Sequence, residues 1–150
     1  MSWNDLRVGR FSQAQGEYLI TFNTHDRAAF FNNYELACLF CQRIALNELQ
    51  HQCTWLTWVL MPDHFHGLLR LDKASADLSK VVGSLKGATA YVINQHLNRT
   101  GKVWQSSFHD RALRAEEDRI GIARYIVANP LRKELVTDVK DYPFWDSVYL

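Results

Sequence analysis

Residues 54–71 read TWLTWVLMPDHFHGLLRL, and how this stretch folds decides the architecture. Thr54–Met61 is dense in aromatic and β-branched residues and predicts a strand. Pro62-Asp63 punctuates it, and His64–Leu71 reads as a second strand, close enough to pair with the first as a hairpin. On the N-terminal side, Tyr34–Gln50 carries Leu36, Leu39, Phe40, Ile44, Leu46 and Leu49 at helical spacing. Ahead of that helix, Tyr18–His25 alternates as a strand does, and Asp26–Asn33 is a turn leading into the helix. On the C-terminal side, Asp77–Leu97 predicts an amphipathic helix capped by Asp77. A polar loop, Asn98–Lys102, leads to a fourth strand at Phe108–Arg114. A third helix runs from Glu116 to Asn129 and is stopped by Pro130. The order β-α-β-β-α-β-α begins with the ferredoxin-like split βαβ pattern: an α+β fold, an antiparallel sheet with helices, in one domain over residues 1–150.

Composition is ordinary for a globular domain: 47% hydrophobic and 22% charged over 150 residues, which excludes a disordered chain or a disulfide scaffold. The three cysteines, Cys38, Cys41 and Cys53, are read as small apolar core residues despite the Cys-x-x-Cys spacing of the first two. No signal peptide and no apolar run of about 20 residues is visible, so the expectation is a soluble cytoplasmic protein with no membrane partner. The net charge of +1 argues at first against a nucleic-acid partner. That average hides local excesses of +5 over Lys80–Arg114 and +4 over Arg119–Lys133. Such local excesses leave room for a nucleic-acid partner held by few phosphate contacts, with a shallow salt dependence.

Two short patterns carry chemistry. His64 and His66 lie two apart on a strand and therefore share a face, with Phe65 on the other. Converging imidazoles suit a divalent metal, yet the same pattern suits two partly exposed strand histidines with no ligand. Tyr125 and Asn129, four apart, share one helix face. A phenol with a pKa of about 10 is a weak nucleophile at neutral pH, a demand that a metal polarising a phosphate reduces. The Asn129 amide oxygen could complete a His-His-Asn set suited to Mg²⁺ or Mn²⁺. Alternatively, Tyr125 is a surface residue and Asn129 a helix cap before Pro130.

Two longer blocks resemble a known family. LMPDHFHGLL (Leu60–Leu69) is similar to the His-hydrophobic-His block, commonly MPNHxHLL, of HUH single-tyrosine transposases. VWQSSFHDRALRAEEDRIGIARYIVANPLRKELV (Val103–Val136) resembles the version of the second block found in REP-associated tyrosine transposases, and DYPFWDSVY (Asp141–Tyr149) resembles their closing segment. The resemblance implies an HUH fold in which the third helix is catalytic. It makes His64, His66 and Asn129 ligands of Mg²⁺ or Mn²⁺, and Tyr125 the nucleophile that attacks single-stranded DNA to form a 5′-phosphotyrosine link with a free 3′-hydroxyl. It implies a substrate too: single-stranded DNA beside a hairpin of the repetitive extragenic palindrome (REP) type, in the nucleoid of a bacterial cytoplasm. Monomer and homodimer both occur among such relatives. Asp63 replaces the family's usual Asn, and Gly67 a usual Leu.

Candidate DNA contacts follow from charge and from the resemblance: Lys86 first, then Arg132 and Lys133 just past Asn129, with Arg114, Arg124 and Lys102. Trp104 could stack on a base, against the competing reading of a core residue. His109 could approach the metal from a neighbouring strand but suits a surface or structural role better; Tyr91, Trp55 and Trp58 read as core. Two rival functions fit parts of the pattern. A non-catalytic hairpin-binding module would bind without the histidines, and a metal-dependent hydrolase would survive loss of Tyr125.

Overall fold

The computed structural model describes residues 16–150. Five strands, β1 (Glu17–Asn23), β2 (Cys53–Met61), β3 (His64–Leu71), β4 (His109–Ala112) and β5 (Trp145–Ser147), form one sheet in the order β4-β1-β3-β2-β5. Every pairing is antiparallel. The helices are α1 (Tyr34–His51), α2 (Leu78–His96), α3 (Arg119–Val127) and the single turn α4 (Asn129–Arg132). This is the ferredoxin-like α+β arrangement that the element order predicts.

The central hairpin forms as its sequence dictates. Across β3, Phe65, Leu69 and Leu71 enter a core under α1 and α2, while His64, His66 and Leu68 face the opposite side. Gly67 has a packing reason: a Cβ there would lie 3.0 Å from the Trp55 ring, so a larger residue would force that ring to shift by a few tenths of an ångström. β2 breaks its alternation at an irregularity between Trp55 and Thr57. The extra residue shifts the phase, so that Trp58 and Leu60 share the core of Trp55, while Leu56, Val59 and Met61 face the second core.

Asp77 caps α2 as expected, accepting the amides of Ser79 and Lys80 at 2.9 and 3.3 Å. The third helix starts later than the Glu116 expected. Asp118 is its cap, accepting the Gly121 amide at 3.0 Å, while the Glu117 carboxylate is held by the Arg114 amide and the Arg111 side chain. α3 also ends at Val127, and Pro130 begins the turn α4 instead of stopping the chain. A proline's missing N–H costs nothing in a first helical turn. The fourth strand is shorter than Phe108–Arg114, and β5 lies in a tail whose three-residue strand is too brief to show a period. Tyr91 corrects another expectation. Its sequence neighbours are apolar, but Val81, Val82, Leu85, Thr89 and Ile93 take the inward face of α2 and leave Tyr91 62% exposed. Trp55 is buried and Trp58 half-buried against the same core. Burial pushes the thiols of Cys41 and Cys53 up to about 12, so both stay protonated in the packed interior. Among the described residues no helix is long and apolar enough to cross a membrane.

Candidate active site

The site lies on the sheet face that α3 only partly covers. Ile126 packs with Leu56, Val59, Met61 and Leu68 of the β2–β3 half. Burying that helix face leaves Tyr125, the next residue back, outside and 62% exposed. The same helix then turns at Ala128 and tucks Asn129 inward, where it is 7% exposed. The two patterns of the sequence thereby meet. The Asn129 amide nitrogen lies 3.4 Å from His64 Nε2, and His66 and Tyr125 line one cavity. Across the sheet, His66 stands in a row with Val59, Thr21 and His109. His109 is exposed two strands away from His66, the surface position preferred for it.

His64 is held from behind. Its Nδ1 lies 2.8 Å from Asp63 Oδ1, and Arg27 Nε and Nη2 each lie 3.1 Å from Asp63 Oδ2. A carboxylate accepts only, so it selects the tautomer with hydrogen on Nδ1 and leaves the Nε2 lone pair toward Asn129. Burial alone would raise the Asp63 carboxyl, but the hydrogen bonds from His64 and Arg27 outweigh it and hold the pKa below its ordinary value. Arg27 and Asp26 both adopt left-handed backbone, at φ 53 and 55, which non-glycine residues rarely take without support. Thr24, fully buried, supplies it: its hydroxyl bonds Ala28 O at 2.8 Å and Asp63 O at 3.1 Å, tying this turn to the β2–β3 turn.

Burial favours the neutral form of both imidazoles. Burial lowers His64, with Asp63 opposing; burial, then His64 and Arg132, lowers His66 to about 4. Neutral nitrogens sharing a face with a neutral amide form a donor set that fits a divalent cation. Among the described residues no three His, Cys, Asp or Glu side chains cluster to hold one. The fit therefore depends on Asn129, whose amide presents its oxygen after a half-turn.

The basic candidates divide. Arg132 lies 3.9 Å over the Tyr125 ring and donates to the Tyr125 carbonyl at 2.7 Å. Lys133 shares a small cavity with Arg27, Asp63 and His64, and Arg124 is exposed on α3. Lys86 and Lys102 line a separate cleft beside α2, where the Lys86 ammonium donates to the carbonyls of Gln105 and Ser107 at 2.7 and 3.0 Å. Arg114 is exposed at the end of β4, 3.6 Å from Glu116. Trp104 corrects the base-stacking reading. It is 5% exposed, packed against Phe22, Phe31 and Phe40, and its indole N–H donates to Thr89 at 3.0 Å. Local charge is also smaller than the residue counts suggest, because Arg111 pairs with Glu117 and Arg119 with Glu17. Sequence reasoning missed Arg27 and Thr24, which no local pattern links to the histidines.

Known proteins share this fold. The family model described as "Transposase IS200 like" matches residues 12–129. The chain is 29% identical over 87 residues to the REP-associated tyrosine transposase of Escherichia coli (strain K12), a match covering 58% of this chain and 50% of that protein. It thus spans about half the length of that relative. A solved REP-associated tyrosine transposase bound to a REP hairpin superposes with a TM-score of 0.72 at 22% identity, over 91% of this chain and 79% of that one. A transposase-like protein of Deinococcus radiodurans gives 0.58 at 24% identity, over 76% and 90%. At these identities the structures speak for the fold alone, whereas the family model covers most of the sequence: the chain belongs to the IS200-like transposase family.

Proposed function

We propose that the protein cleaves and rejoins single-stranded DNA beside a hairpin of REP type, through a covalent link on Tyr125. The observation that carries the reading is the convergence of residues far apart in sequence: His64 with Asn129, and His66 with Tyr125. The Tyr125 phenol gives up its proton to solvent as its oxygen bonds to phosphorus, the P–O3′ bond breaks, and the strand leaves as a 3′-hydroxyl once its own oxygen takes up a proton. Attack by a 3′-hydroxyl on the phosphotyrosine reverses the sequence, so joining needs no external energy source. His64, His66 and Asn129 would hold Mg²⁺ or Mn²⁺, which polarises the scissile phosphate. Arg132, against the Tyr125 ring, adds positive charge where the phosphate must sit. Lys133, beside His64, and the exposed Arg124 are assigned to the flanking strand, and Lys86, Lys102 and Arg114 to the more distant hairpin. The REP hairpin bound by the solved REP-associated tyrosine transposase supports the substrate assignment.

The decisive experiment incubates the protein with Mn²⁺ and a library of single-stranded hairpins, then runs a denaturing gel. A DNA-sized mass shift is expected, and Tyr125→Phe must abolish it. An adduct that persists in the variant removes Tyr125 as nucleophile; cleavage without any adduct favours a hydrolase, and binding without cleavage a passive module.

A further inference from the structure

Because α3 covers the β2–β3 half of the sheet, the β1–β4 half lies open beside it. Between them is a cavity of about 470 Å³, with His66 and Tyr125 at one end. Small-molecule sites span about 300–1,000 Å³, so this volume suits a nucleobase with its sugar. Leu19 of β1 forms one wall, and Ile122 and Ile126 of α3 form the other. These apolar side chains offer a planar ring the kind of surface it leaves on unstacking.

The polar end is unsuited to a phosphate. Two carboxylates, Glu117 and Asp118, border it, together with the Arg111 guanidinium. Arg111 Nη1 donates to Glu117 Oε1 at 2.8 Å, which leaves four of the five guanidinium N–H groups for other acceptors. Asp118 Oδ1 caps Gly121. Asp118 Oδ2 occupies the space above Gly121, only 2.6 Å from where a Cβ would stand, so any larger residue would drive that carboxylate away. Donors and acceptors side by side match the mixed edge of a base, while the carboxylates repel a phosphate. The guanidinium of Arg132, which lies over the Tyr125 ring and does not line the cavity, suits the backbone instead.

We propose that this cavity receives one unstacked nucleobase adjoining the phosphate that Tyr125 attacks, and so selects the nucleotide at the cleavage point. The inference rests on the strand-cleaving reading above. Once seated, the base fixes the sugar and hence the approach of the scissile phosphate to Tyr125.

The probe is the hairpin oligonucleotide giving the strongest adduct, resynthesised with an abasic residue at each single-stranded position in turn. With the wild-type protein, one position beside the cleavage point should lose about tenfold or more in adduct rate, and more distant positions little. Ile122→Trp fills the cavity. It should slow labelling of the intact oligonucleotide by about tenfold and abolish the difference between intact and abasic substrates. Leu19→Phe, on the opposite wall, repeats the test if the first variant fails to fold. Equal labelling of every abasic substrate, or undiminished sensitivity in the filled variants, overturns the cavity assignment while Tyr125 labelling stands. Failure to form any Tyr125 adduct overturns the underlying reading and the cavity assignment with it.

Discussion

Lowering the pH should destabilise the protein through His66 well before its carboxylates are protonated. The imidazole has a pKa of about 4 in the fold and about 6.5 in an unfolded chain. Its folded value is the lower one, so the unfolded state binds the extra proton. Its stability contribution is complete above pH 6.5 and is lost as pH falls from 6.5 toward 4. For this one residue the loss is about 1.4 kcal/mol at pH 5.5 and about 2.5 kcal/mol at pH 4.5, relative to pH 7.5. His64 is lowered too and adds in the same direction. The assay is urea unfolding in EDTA at several values from pH 7.5 to 4.5, comparing wild type with His66→Leu. The variant differs from wild type by a constant at neutral pH, and its curve should fall less steeply on acidification. Parallel curves would refute the claim that the site keeps this imidazole neutral, and with it the account of a donor set ready for a cation at neutral pH.

Asp63→Ala should weaken Mn²⁺ binding about 10–100-fold by calorimetry, because His64 loses the partner that sets its tautomer. Asp63→Asn, which still accepts from Nδ1–H, should lose less; an alanine variant with unchanged affinity would show that the carboxylate is a turn residue only. Trp104→Ala should cost about 3–5 kcal/mol in urea unfolding. Trp104→Phe should cost about 1 kcal/mol through the lost hydrogen bond to Thr89. A large loss of hairpin affinity in a stably folded Trp104→Phe protein would restore the base-stacking role.

Local periodicity accounts for what was legible. The pairing of His64 with His66 on one face, and the burial of Phe65 on the other, follow from a two-residue repeat that any strand must obey. The cap at Asp77 and the inward stripe of α2 follow equally from short-range chemistry. Where that signal is weak, the reading drifted. Helix 116–129 is displaced because Glu116, Glu117 and Asp118 look alike as first-turn acids, and only their partners tell cap from ion pair. Tyr91 moved from the expected core to the surface, and Trp104 took the core position that competed with base stacking, because an aromatic residue suits either. Helix phase decides the first, and the arrival of the 101–108 loop over Phe22 and Phe40 decides the second.

From sequence alone came the order of the first seven elements, the α+β class, and the candidate site residues. The first two depend on spacing along the chain, which the backbone repeat converts directly into direction; the candidate roles depend on the two longer motif blocks. Tertiary structure alone decided that Asn129 meets His64, that Arg27 and Thr24 brace Asp63, and that α3 leaves half a sheet face open beside Tyr125. Those contacts join residues tens of positions apart, and they exist only because burying Ile126 and Phe65 in opposite cores fixes how helix and sheet lie against each other.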